Sequence, residues 1–341
     1  AGPPGEPRRG NALGSALVRF GVGGADLLTD GGSGFERLLT YGLGYGGTGL
    51  LVSWILPAAQ DGRIWPAIQV TAGLAALAPP ALYALAAELE LPRPAAAAAA
   101  LALLCWPLHA ALFTSDFLQG PALTVGTFGL WLVVRAARRE SATHLLAGAA
   151  VFGGLVWMRP EGFLWALPFA AAAAPFARRR WRDGLFWGAV GLGALAIGCR
   201  VLSVAQVHVP GTEGDSLPLL GPLTLERFLL AGHPALPWWL WLGIPPGLAM
   251  LRHRRRAAGI VLAGLGAAGL ALLLGGSAPD LVEFFRYSAP AMLWLSMLSG
   301  AGLAALAGAL PSRSWRRGVS ALLLLGLLAT PLLHADYLST A

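Results

Sequence analysis

The sequence predicts an all-α fold, a polytopic transmembrane helical bundle of about ten spans with an interfacial helix on its outer face. Three observations predict it. First, 56% of the 341 residues are hydrophobic and only 12% are charged, against about 25% charged in water-soluble domains. With a mean hydropathy of +0.64, such a chain has too little polar surface to face water all round. Second, apolar runs recur at the length needed to cross about 30 Å of hydrocarbon, some 20 residues at 1.5 Å per residue. Third, the charges between those runs segregate by sign along the chain.

The predicted spans are Ile64 to Ala87, Pro94 to Phe113, Phe117 to Val134, His144 to Met158, Phe163 to Ala177, Gly184 to Val204, Pro234 to Leu251, Ala257 to Gly275, Tyr287 to Leu310 and Gly318 to His334. The fourth and fifth are about fifteen residues each and form a short hairpin, whose turn Arg159-Pro160-Glu161-Gly162 sits low at the membrane surface. The paired prolines Pro79-Pro80 and Pro245-Pro246 are expected to kink their helices. Trp238, Trp239 and Trp241 open the seventh span, where an aromatic belt is expected at the outer interface. Cys105 and Cys199 both fall inside apolar runs and read as small packed side chains, with neither a disulfide framework nor metal spacing.

The loops alternate in character. One set carries Arg93, then Arg135, Arg138 and Arg139, then Arg178, Arg179, Arg180 and Arg182. It continues with Arg252, Arg254, Arg255 and Arg256, then Arg313, Arg316 and Arg317. That is fifteen arginines against four acids, Glu88, Glu90, Glu140 and Asp183. The other set, with the N-terminal stretch, holds nine arginines and thirteen acids. By the positive-inside rule the first set is cytoplasmic and the second faces outward. The chain is therefore expected in a bacterial cytoplasmic membrane; all 24 basic residues are arginine and alanine tracts recur, as in GC-rich bacterial genomes. The pI near 10.4 does not point to nucleic acid, because the arginines come in short bursts between apolar runs.

Residues 1–63 are expected to form an extracytoplasmic first loop, and residues 64–341 the bundle. Within the first loop, Leu43 to Ala59 is ambiguous: as a span it gives eleven crossings and an inside N-terminus. Its first half is glycine-rich and a poor helix, and the continuous apolar part, Leu50 to Ala59, is about ten residues. An interfacial or re-entrant helix on the outer face is the preferred reading, and it requires a membrane segment upstream of Ala1. After Val204, the stretch from Pro222 to Leu230 places Leu225, Phe228 and Leu229 on one helical face, predicting a short helix on the outer surface.

No phosphate-binding glycine loop, zinc-type histidine pair or nucleophile elbow is present. No cofactor is indicated, and a divalent cation stays open. What remains is a set of polar residues at the outer ends of spans, among them Asp26, Asp30, Asp116, Arg159, Glu161, Arg200, Arg286 and Tyr287. Taken singly, each is first read as a solvated interfacial residue, where the cost of burying charge, about 2.5 to 3.5 kcal/mol at mid-membrane, is small. Taken together, acids and arginines from several connections converge on one face.

The segment Thr114-Ser-Asp-Phe-Leu-Gln-Gly, then Arg135-Ala-Ala-Arg-Arg, then His144 through Arg159-Pro-Glu-Gly resembles the core of glycosyltransferases of the C fold class, the protein-mannosyltransferase and lipid A aminoarabinose-transferase type. Phe285-Arg286-Tyr287-Ser-Ala-Pro is similar to their Arg-Tyr-x-x-Pro segment, and Tyr45-Gly-Gly-Thr-Gly-Leu-Leu to their outer juxtamembrane helix. The resemblance covers about Tyr45 to Leu310 and rests on short motifs of common residues. It implies transfer of a sugar from a polyprenyl-phosphate carrier to an extracytoplasmic glycan, lipid or protein acceptor, with inversion. A first-loop carboxylate then acts as general base, Asp26 or Asp30 being the available acids, although neither sits in a clear family motif. The same resemblance assigns Arg286 and Arg159 to the donor phosphate, and Asp116, Glu161 and Tyr287 to positioning substrate. Two other classes stay open: a secondary transporter or lipid flippase, which places ionisable groups at the midplane in repeated halves, and a non-catalytic membrane scaffold. No internal repeat is visible, and Arg200, near the outer end of its span, is the nearest approach to a mid-span charge.

Overall fold

The described chain is built from helices alone, as so apolar a sequence requires, because helices satisfy their own backbone polar groups. The computed structural model describes residues 72–107, 109, 119–158, 160–206, 237–274 and 281–333. Among these are ten α-helices: α1 (Ala78–Glu88), α2 (Arg93–Leu104), α3 (Gln119–Arg139), α4 (Ala142–Met158), α5 (Ala166–Arg180), α6 (Gly184–Gln206), α7 (Trp238–Arg252), α8 (Arg255–Leu274), α9 (Leu281–Ala309) and α10 (Arg313–Leu333). A 3-10 turn, Pro160–Trp165, joins α4 to α5, and there is no strand among the described residues. The first loop, with Leu43 to Ala59, and the surface helix expected after Pro222 lie outside the described residues.

Gly120–Arg139, Arg255–Leu272 and Ala289–Ala309 are each long and apolar enough to cross a membrane. Ala72–Glu88, Arg93–Leu104, Ala142–Met158 and Gly184–Cys199 are apolar but shorter. Large aliphatic side chains stay uncovered on several helices, including Leu195 of α6, Leu242 and Leu248 of α7, Leu262 of α8, and Leu322 and Leu325 of α10. So many uncovered aliphatic side chains suit a lipid surrounding.

The helix α9 is the axis of one half of the bundle, packed on α7, α2 and α8. Its approach to α7 and α2 is backbone against backbone. A methyl group on Gly302 would enter the backbone of Gly243 and Gly247; one on Gly243 or Gly247 would strike Ser299 or the Leu298 carbonyl. On the other side, a methyl on Gly300 would meet Ala98 and Ala99. Without a hydrophobic drive between helices in lipid, such small-residue contacts let dispersion hold them together. The other half is the α3–α4 hairpin, with α1 and α5 on α3, and α6 on α4; α5 in turn touches α8.

Three sequence expectations need correction. Pro79-Pro80 do not kink a helix: a turn at residues 76–77 interrupts it, and the prolines open α1 in its first turn, where missing N–H groups cost nothing. Trp239 is not part of a belt, for it is fully buried and meets Trp106 edge-on at 5.4 Å; only Trp238 and Trp241 are exposed. Cys105 is packed, but Cys199 is exposed.

The arginine-bearing ends of the helices gather at one end of the bundle, where they are tied together. Glu88 at the end of α1 takes Arg135 at 3.5 Å and Arg138 at 3.6 Å, both from α3. Arg138 also reaches Glu90 at 3.6 Å. Glu140 takes Arg179 at 2.7 Å and Arg180 at 3.9 Å from the end of α5, and Arg180 also lies 3.8 Å from Asp183. Arg254 donates to the Glu90 carbonyl, and Arg256 to the Val134 carbonyl at 2.9 Å. Exposed Trp181, Trp187 and Trp315 surround this end, as aromatic side chains do at a headgroup layer.

Two of its turns are alike. Glu90 and Glu140 adopt positive φ, 63° and 52°, and the amides that follow them, of Leu91 and Ser141, donate back to Ala86 and Ala136. This is a helix stop whose left-handed position is usually glycine. A glutamate there costs about 1 kcal/mol, while an exposed ion pair returns about 0 to 1. Glu90→Gly is therefore expected to leave thermal stability in detergent unchanged or raised by up to about 1 kcal/mol. Glu88→Gln, which strips a largely buried carboxylate from two guanidinium groups, is expected to cost about 1.5 to 3 kcal/mol. Equal melting shifts for the two variants would contradict this division of roles.

Candidate functional site

The chemistry of the chain divides between the two ends of the bundle. At the arginine end all four acids, Glu88, Glu90, Glu140 and Asp183, are engaged by guanidinium groups. Held in this way, they brace the helices and are poorly placed to accept a proton from substrate. A carboxylate already held by guanidinium groups is a weak candidate for a general base.

At the opposite end, α4 stops at Met158 and the chain folds at once into the Pro160–Trp165 turn. Gly162 is required there by space, since a Cβ would stand 2.6 Å from the Leu155 carbonyl oxygen and 3.0 Å from the Val156 Cα. The turn is pinned from its other side by Leu164, which is buried with Ala267 and Ala271 of α8. So Gly162 has a packing role, and the backbone it controls carries Glu161. The turn lies at this end of the bundle because α4 starts and α5 ends among the arginines.

The start of α9 is at the same end, since its far terminus leads into Arg313. The helix begins at Leu281, six residues before the predicted start at Tyr287. Arg286 and Tyr287 therefore sit within its second turn, not at its opening. Among the proposed site residues, the backbone places Glu161, Arg286 and Tyr287 at the end away from the arginine ties; their side chains lie outside the described part. Asp26, Asp30, Asp116 and Arg159 lie outside the described residues.

Beneath this end the bundle is closed by indole rings. Trp165, from the turn, and Trp294 of α9 have centroids 6.2 Å apart, and both are buried. Each ring lies on a glycine: a Cβ on Gly126 of α3 would come within 2.9 Å of Trp165, and one on Gly264 of α8 would enter the Trp294 ring. On the other flank the Trp106–Trp239 pair fills the space between α2 and α7. His109, which the sequence did not single out, is fully buried at this end. It falls within the span predicted from Pro94 to Phe113, near its end, where no neighbouring motif marks it for a role. Among the described residues, the other fully buried polar side chains are hydroxyls, such as Thr127 and Ser299, each donating to the carbonyl four residues back.

No protein-family model matches the chain, and no curated protein sequence matches it significantly.

Proposed function

We propose that the chain is a ten-span integral-membrane glycosyltransferase of a bacterial inner membrane, acting at the extracytoplasmic face on a polyprenyl-phosphate-linked sugar. The observation that carries this reading is the separation of charge by role. The acids at the arginine end are consumed in structural ion pairs, whereas Glu161 and Arg286 are carried on backbone at the other end, near the buried Trp165–Trp294 pair. The motif resemblance around Asp116, Arg159 and Arg286 supplies the chemical class.

In the reaction, the acceptor hydroxyl oxygen bonds to the anomeric carbon as that carbon's bond to the carrier phosphate breaks, inverting the centre. The hydroxyl proton passes to a carboxylate, Asp26 or Asp30, and polyprenyl phosphate departs with the bonding pair. Arg286 and Arg159 offset the negative charge that grows on the phosphate, an interaction strengthened where water is scarce. Asp116, Glu161 and Tyr287 position the substrates. The test is transfer from a short-chain polyprenyl-phosphate sugar panel by the purified chain in lipid, read as release of polyprenyl phosphate. No turnover with any donor, for a folded preparation, removes the proposal.

A transporter needs ionisable groups near the midplane. Among the described residues, the buried polar side chains are His109, Thr124, Thr127, Ser296, Ser299 and Thr330, with no acid and no arginine. That favours a surface site over a transport path.

Sidedness is separately testable. With Cys105 and Cys199 changed to alanine, Ser141→Cys, between α3 and α4, and Ser312→Cys, between α9 and α10, are expected to resist an impermeant maleimide in intact cells. Both should react once the membrane is opened. Labelling of either from outside inverts the orientation and removes the outer-face site.

A further inference from the structure

A groove of about 390 Å³ runs between α2, α9 and α10, at the arginine end of the bundle. Its walls are apolar, made chiefly by Ala97 and Leu101 of α2, Leu303 and Ala304 of α9, and Leu323 and Leu327 of α10. Arg316 stands at its mouth. We propose that this groove holds one acyl chain of an anionic glycerophospholipid, with the lipid phosphate on the Arg316 guanidinium. The inference rests on the membrane placement of the bundle and not on its being a transferase.

Length, volume and charge each point to that occupant. From Arg316 to Leu327 the helical rise amounts to about 16 Å, close to the roughly 15 Å of one hydrocarbon leaflet. The groove's volume, about 390 Å³, suits a single extended hydrocarbon chain. It exists because α10 packs against α9 and leaves Leu322 and Leu325 facing outward.

At the mouth, Arg316 is oriented by its own Nε, which donates to the Leu310 carbonyl at 2.7 Å. No ion pair or other hydrogen bond among the described residues engages its two terminal nitrogens, the pair that grips a phosphate as a fork. Arg313 and Arg317 flank it, and no acid occurs anywhere from Leu303 to Leu333. Exposed Trp315 sets the headgroup level at this point. A basic mouth on an apolar cleft between helices is the arrangement that selects anionic headgroups.

The test uses the full chain in nanodiscs with phosphatidylglycerol or phosphatidylcholine bearing a photoreactive acyl chain, with labelled peptides read by mass spectrometry. Phosphatidylglycerol is expected to label the segments 97–101 and 303–307 at least fivefold more than phosphatidylcholine. Arg316→Gln should erase that preference. Gly308→Phe should abolish groove labelling by both lipids, and it is well suited to folding because a Cβ at Gly308 meets nothing within 4 Å. Equal labelling by the two lipids in the unaltered chain overturns the proposal. So does groove labelling that persists in Gly308→Phe, labelling no stronger than on the exposed leucines of α7 and α8, or crosslinking through the groove to a second copy of the chain.

Discussion

Gly302→Ala is expected to destroy the folded bundle, while Gly308→Ala, on the same helix, leaves it intact and slightly more stable. The chemical change is identical; the surroundings decide. At Gly302 the new methyl enters the backbone of Gly243 and Gly247, and α7 has no rotamer to turn aside. Separating the two helices would also strip α9 from its largest neighbour, so the cost is set at about 3 kcal/mol or more, the upper part of the range for overpacking. At Gly308 nothing lies within 4 Å, and alanine gains about 0.5 to 1 kcal/mol by restricting the unfolded backbone. Thermal melting in detergent, with size-exclusion profiles as a check on dispersity, reads both. A Gly302→Ala chain that melts with the parent would mean that α7 and α9 are not in backbone contact, and the described packing would be wrong.

If the chain is the proposed glycosyltransferase, Arg286→Gln is expected to lower sugar transfer by about 10²- to 10³-fold, the loss typical when one charge-stabilising donor is removed, with little change in melting temperature. The position tells two roles apart. As a phosphate ligand, Arg286 contributes most when charge develops on the leaving group, so kcat falls more than KM rises, and Arg286→Lys recovers only part of the rate because the two-pronged contact is gone. As an interfacial anchor, it would be replaced by lysine without loss. The carboxylates complete the test: Asp26→Asn or Asp30→Asn should reduce transfer by about 10² to 10⁴ at the true base. If Asp26, Asp30 and Asp116 each become asparagine with no loss, the assignment of catalysis to them is withdrawn.

The helical class and the order of elements were legible because periodic apolar length is a strong signal; each predicted span has one helix within it or overlapping it. Ends were less legible, and for a physical reason. Hydropathy stops at Val134, but α3 continues to Arg139 because Ala136 and Ala137 are buried and Arg138 has Glu88 to reach. The start of α9 was read at Tyr287 because charged Glu283 and Arg286 precede it, although a helix needs no apolar residue to begin. Trp239 was assigned to the interface by composition, since one sequence does not tell which of three neighbouring indoles turns inward. The groove beside α10 was invisible for a similar reason: it arises from how loosely one helix leans on another, and no residue type announces a gap. Of the site, the backbone sets Glu161, Arg286 and Tyr287 at the end of the bundle away from the arginine ties, while Asp26, Asp30, Asp116 and Arg159 lie outside the described residues.

The arginines that the positive-inside rule would use to orient the chain are also the ones that tie its helix ends together, and the two duties make different chemical demands. Orientation during insertion counts positive charges near a membrane boundary and is indifferent to which side chain carries them. Lashing depends on flat, multi-pronged groups such as Arg138, which meets Glu88, Glu90 and a main-chain oxygen at once, and Arg254, which bridges from α8's entrance to the Glu90 carbonyl. An ammonium group in their place would still tell the insertion machinery which way to thread the protein. The charge asymmetry between the two ends would then survive, and the several-pronged contacts that link neighbouring helix ends would be lost.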